Sequence, residues 1–135
     1  MTSSIIYKGD LRTEATHLQS GTVIETDAPT DNNGKGERFS PTDLVATALG
    51  TCMLTYMGIA ARTHNFDIDG TKVSVQKIMA ANPRRISEIQ IEMQFPAGKA
   101  YDDKTRTIIE RAAMGCAVLE SLHPDLKKTV SFLWP

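Results

Sequence analysis

Two opposite spacings of apolar residues frame this chain. Between residues 86 and 95, Ile89, Ile91, Met93 and Phe95 alternate with Glu88, Gln90, Glu92 and Gln94. A period of two predicts a strand with one buried and one wet face. Between residues 44 and 61 the run LVATALGTCMLTYMGIAA carries no charge at all. Helix-start signals precede it. Ser40 can cap, Pro41 suits the first helical position, and Asp43 can close a capping box while its charge favours the positive end of the helix dipole. Arg62 and His64 supply cations near the far end, and Asn65 is the stop signal. A helix apolar on nearly every face is expected to be buried on nearly every face. The run is at the lower limit for crossing a bilayer, and it contains three threonines, two glycines and a cysteine. With neither aromatic belts nor one-sided basic flanks, it reads as the central helix of a soluble core.

Weaker signals organise the remainder. Residues 4–7 and 11–17 read as short strands around the polar break Lys8-Gly9-Asp10, and Gln19-Ser20-Gly21 reads as a turn. Residues 22–26 are β-prone, which suggests an N-terminal hairpin or meander. The segment DAPTDNNGKG, residues 27–36, is dense in turn formers and is expected to be a surface loop. Beyond the central helix, residues 66–80 are β-prone, with Gly70 as a bend and Asn82-Pro83 as the turn into the alternating strand. These two runs are expected to form a long antiparallel hairpin.

A second helix opens at Asp102-Asp103. Ile108, Ile109, Ala112, Ala113 and Cys116 share one apolar stripe, opposite Lys104, Arg106, Glu110 and Arg111. Gly115 loosens this helix just before Cys116, residues 118–122 suggest one more helical turn, and residues 129–133 a last strand. The predicted order is β-β-(loop)-α-β-β-α-β. It describes a single α+β domain over residues 1–135, an antiparallel sheet against a buried central helix.

Composition narrows the function. With 135 residues, 41% hydrophobic and 23% charged, the chain is ordinary globular material. A formal net charge of -1 gives no footprint for nucleic acid or an anionic membrane. The polar start Thr2-Ser3-Ser4 lacks a secretory pattern, so the cytoplasm is the expected compartment. There, the two cysteines are not expected to be a structural staple. They are inert core thiols, metal ligands or a redox pair. No CxxC, HxxxH or HExxH spacing exists, and His17, His64 and His123 are not placed on a helix face beside a cysteine. No metal and no other cofactor is therefore expected.

The stretch SPTDLVATALGTCM resembles the central-helix motif of the OsmC/Ohr family of thiol peroxidases. Arg111-Ala112-Ala113-Met114-Gly115-Cys116-Ala117-Val118 resembles that family's second-cysteine helix. The β-rich N-terminus, Gly-rich loop, long hairpin and closing strand follow the same layout, so the resemblance covers essentially the whole chain. It implies an intertwined homodimer, with the central helices packed in the middle and active sites at the interface. By position, Cys52 would attack an organic hydroperoxide, Cys116 would resolve the product, and an external dithiol would restore the pair. The resemblance also implies an activating arginine from the N-terminal β region, oriented by a carboxylate at the start of the central helix. Arg12 is the nearest counterpart and Arg38 its rival. Asp43, whose other role is the capping box, and Glu37 are the candidate carboxylates. Phe39, Met53, Tyr56 and Met57 would line an apolar pocket. Two departures mark a divergent branch: Thr42 aligns with the family's Glu, and Ala117 stands where Pro is usual. The alternatives are a dimer that binds a small apolar ligand or senses oxidants without turnover, and a purely structural dimer.

Overall fold

A computed structural model describes all 135 residues, which divide into two compact units, residues 1–45 and 46–135. In the first unit, strands β1 (Ser3–Gly9), β2 (Arg12–His17) and β3 (Val23–Asp27) form an antiparallel sheet in that order. This is the expected meander. The segment after β3 is more ordered than its composition suggests. It folds back through a 3-10 turn at Thr30–Asn32, with Gly34 N–H donating to Pro29 C=O at 3.0 Å and Gly36 N–H to Ala28 C=O at 3.3 Å. A Cβ on Gly34 would lie 1.7 Å from the Ala28 carbonyl oxygen, so only glycine fits there.

Helix α1 (Pro41–His64) begins in this unit with the predicted capping box. Ser40 N–H donates to Asp43 Oδ2 at 2.9 Å, and Asp43 N–H to Ser40 Oγ at 3.0 Å. Its end is also as expected, with Asn65 in the left-handed region at φ 57°.

The second unit contains the sheet β4 (Lys72–Ala80), β5 (Arg85–Gln94) and β6 (Lys127–Leu133), together with helices α2 (Asp103–Met114) and α3 (Ala117–Ser121). Leu49, Met53 and Met57 of α1 are fully buried in one core with Ile89 and Met93 of β5 and Ile109 of α2. Gly50 brings α1 close to β4. A Cβ there would stand 3.0 Å from Val75 Cγ2 and 3.3 Å from Val73 Cγ1. Gly50→Leu is accordingly expected to destabilise the protein by about 1–3 kcal/mol through overpacking, measured by urea denaturation.

Three expectations are corrected. Residues 66–71 form a turn closed by Thr71 N–H to Ile68 C=O at 3.0 Å, with Gly70 at φ 88°, so the strand starts only at Lys72. The sheet is not purely antiparallel, since β6 runs parallel to β5. Helix α2 stops at Met114, which leaves Cys116 in the link to α3 rather than on the α2 stripe. Within one chain α1 leaves Val45, Thr51, Thr55 and Ile59 exposed, in keeping with a helix whose covering the resemblance assigns partly to a second subunit. The helix is long and apolar enough to span a bilayer, but its opposite stripe packs into the core described above.

The chain end is pinned by aromatic rings. Trp134 stacks on Phe95 at 4.3 Å between centroids and lies under the Arg106 guanidinium at 5.1 Å.

Candidate active site

Two groups of chemically capable side chains stand out, one in each unit. In the second unit, Cys52 lies midway along α1, on the stripe shared by Val45, Ala48, Thr55 and Ile59 and beside the buried stripe of Leu49 and Met53. It is half-buried, whereas Cys116 is fully buried. Cys116 is the N-cap of α3, and its Sγ accepts the Leu119 N–H at 3.4 Å. Gly115, flagged in the sequence as a loosening residue, receives the end of α2. Its N–H bonds the Arg111 and Ala112 carbonyls, and the chain then turns Cys116 inward.

Both cysteines are free, and Cys52 packs against the core cluster that contains Cys116. Burial pushes the Cys116 thiol above its ordinary pKa. The Leu119 amide opposes that shift, and proximity to Cys52 adds to it. Cys116 is therefore held protonated at neutral pH. Two thiols brought within bonding reach can lose two electrons to an oxidant and form a disulfide.

In the first unit, Arg12 opens β2 directly opposite Asp27, the last residue of β3. Arg12 Nε donates to Asp27 Oδ1 at 2.7 Å and Nη2 to Asp27 Oδ2 at 2.8 Å, a two-pronged pair. The same Nη2 donates to Glu37 Oε2 at 2.9 Å. Asp27 is 1% exposed and also accepts the Glu37 N–H at 3.2 Å. These bonds hold the Asp27 carboxyl below its usual range, chiefly through Arg12, and raise the already high Arg12 value further. The result is a guanidinium of fixed direction and permanent charge.

Among the remaining sequence candidates, Glu37 is joined to Arg12, while Asp43 reciprocates with Ser40 in the capping box. Arg38 is paired instead with Glu25, at 2.8 Å, on an exposed surface. Met53 and Met57 are fully buried core residues, and Phe39 is 56% exposed. No group of three or more His, Cys, Asp and Glu residues is arranged to hold a metal ion. The residue that sequence reasoning missed is Asp27, assigned to the loop because of its turn-forming neighbours. A signal existed: a hairpin centred on Gln19-Ser20 pairs residue 12 with residue 27.

The fold defines a small α+β protein with two free cysteines. More particularly, the chain belongs to the OsmC-like protein family, whose sequence pattern matches residues 34–131. No curated protein matches it in sequence. It is 53% identical to a Psychrobacter arcticus 273-4 protein provisionally named for osmotic stress induction and a detoxification response. That alignment covers 98% of this chain and 95% of that one at a TM-score of 0.93. The fold is also that of the organic hydroperoxide resistance protein OsmC of Legionella pneumophila, at 11% identity, 99% and 98% coverage and a TM-score of 0.73. An organic hydroperoxide resistance protein of Elizabethkingia anophelis is similar at 14% identity, 100% and 97% coverage and a TM-score of 0.71. At those two identities the likeness is one of fold.

Proposed function

We propose that this protein is a thiol peroxidase that reduces organic hydroperoxides in defence against oxidative stress. The observation that carries the reading is the pair of free cysteines, with Cys52 packed against the core cluster in which Cys116 is buried. The Cys52 thiolate attacks the O–O bond, the alcohol leaves, and Cys52 becomes a sulfenic acid. The Cys116 sulfur then attacks that sulfur and displaces water, giving a disulfide. An external dithiol returns both cysteines to thiols and is itself oxidised to a disulfide. The cation we assign to the first step is Arg12, held charged and directed by Asp27 and Glu37. The hydroperoxide resistance proteins that share the fold support the substrate class. One equivalent of an organic hydroperoxide is expected to consume both thiols and lower the intact mass by about two daltons. Two persistent free thiols would overturn the reading and favour a protein that binds an apolar ligand.

We also propose that the working form is a homodimer. Ile59 of α1 is 57% exposed, and Ile5 and Tyr7 of β1 are 66% and 63% exposed, apolar side chains that a second copy would take out of water. A second copy is the occupant we assign to the uncovered face of α1. Ile59→Glu is harmless to an isolated chain, because that position is solvated. It is expected to shift the protein from twice 14.8 kDa to 14.8 kDa in light scattering. A variant that stays dimeric would show that this face of α1 is not the contact.

A further inference from the structure

We propose that the hollow at the start of β5 binds a small carboxylate with an apolar tail. Neither cysteine lines that hollow, and no step of the thiol chemistry enters.

Parallel pairing makes the site. Strands β5 and β6 run the same way, so the turn before β5 and the turn before β6 come together at one end of the sheet. Between them lies a cavity of about 520 Å³, within the range of small-molecule sites. Its apolar lining is Pro83, Ile86 and Leu126, the last only 8% exposed. Arg85 and His123 bring nitrogen donors to the same cavity, beside Ser87 and Asp125.

Both donors are held by the backbone. Arg85 Nη1 donates to the Ala81 C=O at 3.2 Å and to the Pro83 C=O at 2.9 Å. These two bonds fix the guanidinium and leave its Nε and Nη2 hydrogens for a ligand. His123 Nδ1 accepts the Asp125 N–H at 3.0 Å, which in the neutral ring puts the proton on Nε2 as a further donor. The turn that carries His123 is closed twice on its carbonyl, by the Leu126 N–H at 3.0 Å and by Lys128 Nζ at 2.9 Å. A ligand therefore meets donors already in place, and little ordering is left to oppose binding.

Charge selects the ligand. An arginine fork suits a carboxylate, which accepts two parallel N–H bonds. Asp125 also lines the cavity, with Oδ2 3.9 Å from His123 Nδ1 and its side chain 93% exposed. One negative charge in the lining repels a dianion more than a monoanion. The charge of Glu88 on β5 is met by Thr129 Oγ1 at 2.6 Å and Lys127 Nζ at 3.9 Å. The apolar floor takes the tail out of water.

The test follows amide NMR shifts of the intact protein during titration with octanoate. Acetate carries the charge without the tail, and octanol carries the tail without the charge. Saturable shifts are expected at residues 83–87 and 123–126, half-complete at about 1 mM octanoate or below. Acetate is expected to give none, and octanol to bind about fivefold more weakly. Arg85→Gln is expected to weaken octanoate about fivefold and to leave octanol unchanged. Because Arg85 also ties its turn, Asp125→Asn supplies a change that misfolding cannot imitate. Removing the competing charge is expected to tighten octanoate about twofold. Octanoate shifts that stay linear to about 10 mM would overturn the proposal. So would equal responses to octanoate and octanol, an acetate response matching that of octanoate, or unchanged octanoate affinity in both variants. Octanoate shifts centred on α1 around Cys52, with the two turns unmoved, would overturn it as well.

Discussion

Cys52→Ser is expected to abolish organic hydroperoxide turnover, by roughly three orders of magnitude or more, as loss of a nucleophile does elsewhere. A serine hydroxyl in the same place is neither ionised at neutral pH nor oxidised by peroxide. Cys116→Ser is expected to behave differently. The first equivalent of hydroperoxide still reacts at Cys52, but the sulfenic acid has no partner thiol and persists. A dimedone adduct on Cys52 in that variant, with one peroxide consumed per protein, would separate the two roles. A structural role for both cysteines predicts instead that each variant changes stability and leaves peroxide consumption where it was. Neither substitution is expected to unfold the chain, because serine is close to cysteine in volume. Cys116→Ser will cost more of the two, since a hydroxyl replaces a thiol at a fully buried position.

The second large effect concerns Arg12. Arg12→Ala is expected to lower kcat/KM for hydroperoxide by about a hundredfold, the usual loss when one charged donor is removed from a reacting site. Arg12→Lys should recover little, because a single ammonium cannot reproduce the two-pronged pair with Asp27 while also meeting Glu37. Asp27→Asn is the sharper probe, as it keeps the shape and removes the charge. The folded-state value of Asp27 is depressed by Arg12. Its contribution to stability is therefore complete above the unfolded carboxylate value of about 4 and is lost as pH falls through the lower folded value. Urea denaturation of the wild type should show that acid loss, and Asp27→Asn should be less stable at pH 7 but flatter on the acid side. Identical acid limbs in the two proteins would mean that the pair does not contribute to stability.

The parts of this molecule that depend on local sequence were the legible ones. The cap of α1, its left-handed stop at Asn65 and the alternation of β5 each involve residues within a few positions of one another. What was missed depends on distant partners. Asp27 looks like a loop residue until the β2–β3 register sets it against Arg12. The direction of β6 leaves no trace in its own alternation, since parallel and antiparallel strands present side chains with the same period. The stripe from Ile108 to Cys116 continues at helical spacing past the end of α2, because Cys116 is buried for its own reason as the cap of α3. The apolar faces of α1 were legible in its own sequence, and the part of them left open in one chain is the part that the resemblance assigned to a partner.

The parallel pairing of β5 with β6 also bears on how the protein is made. Glu88 pairs with Lys127 and Gln94 with Leu133, so the second sheet closes only across the whole segment that contains α2 and α3. The β1–β2–β3 meander needs only short-range contacts and can form as it leaves the ribosome. Until β6 has been made, the apolar central helix has an incomplete sheet to pack against, and the nascent chain is at its most aggregation-prone in that interval.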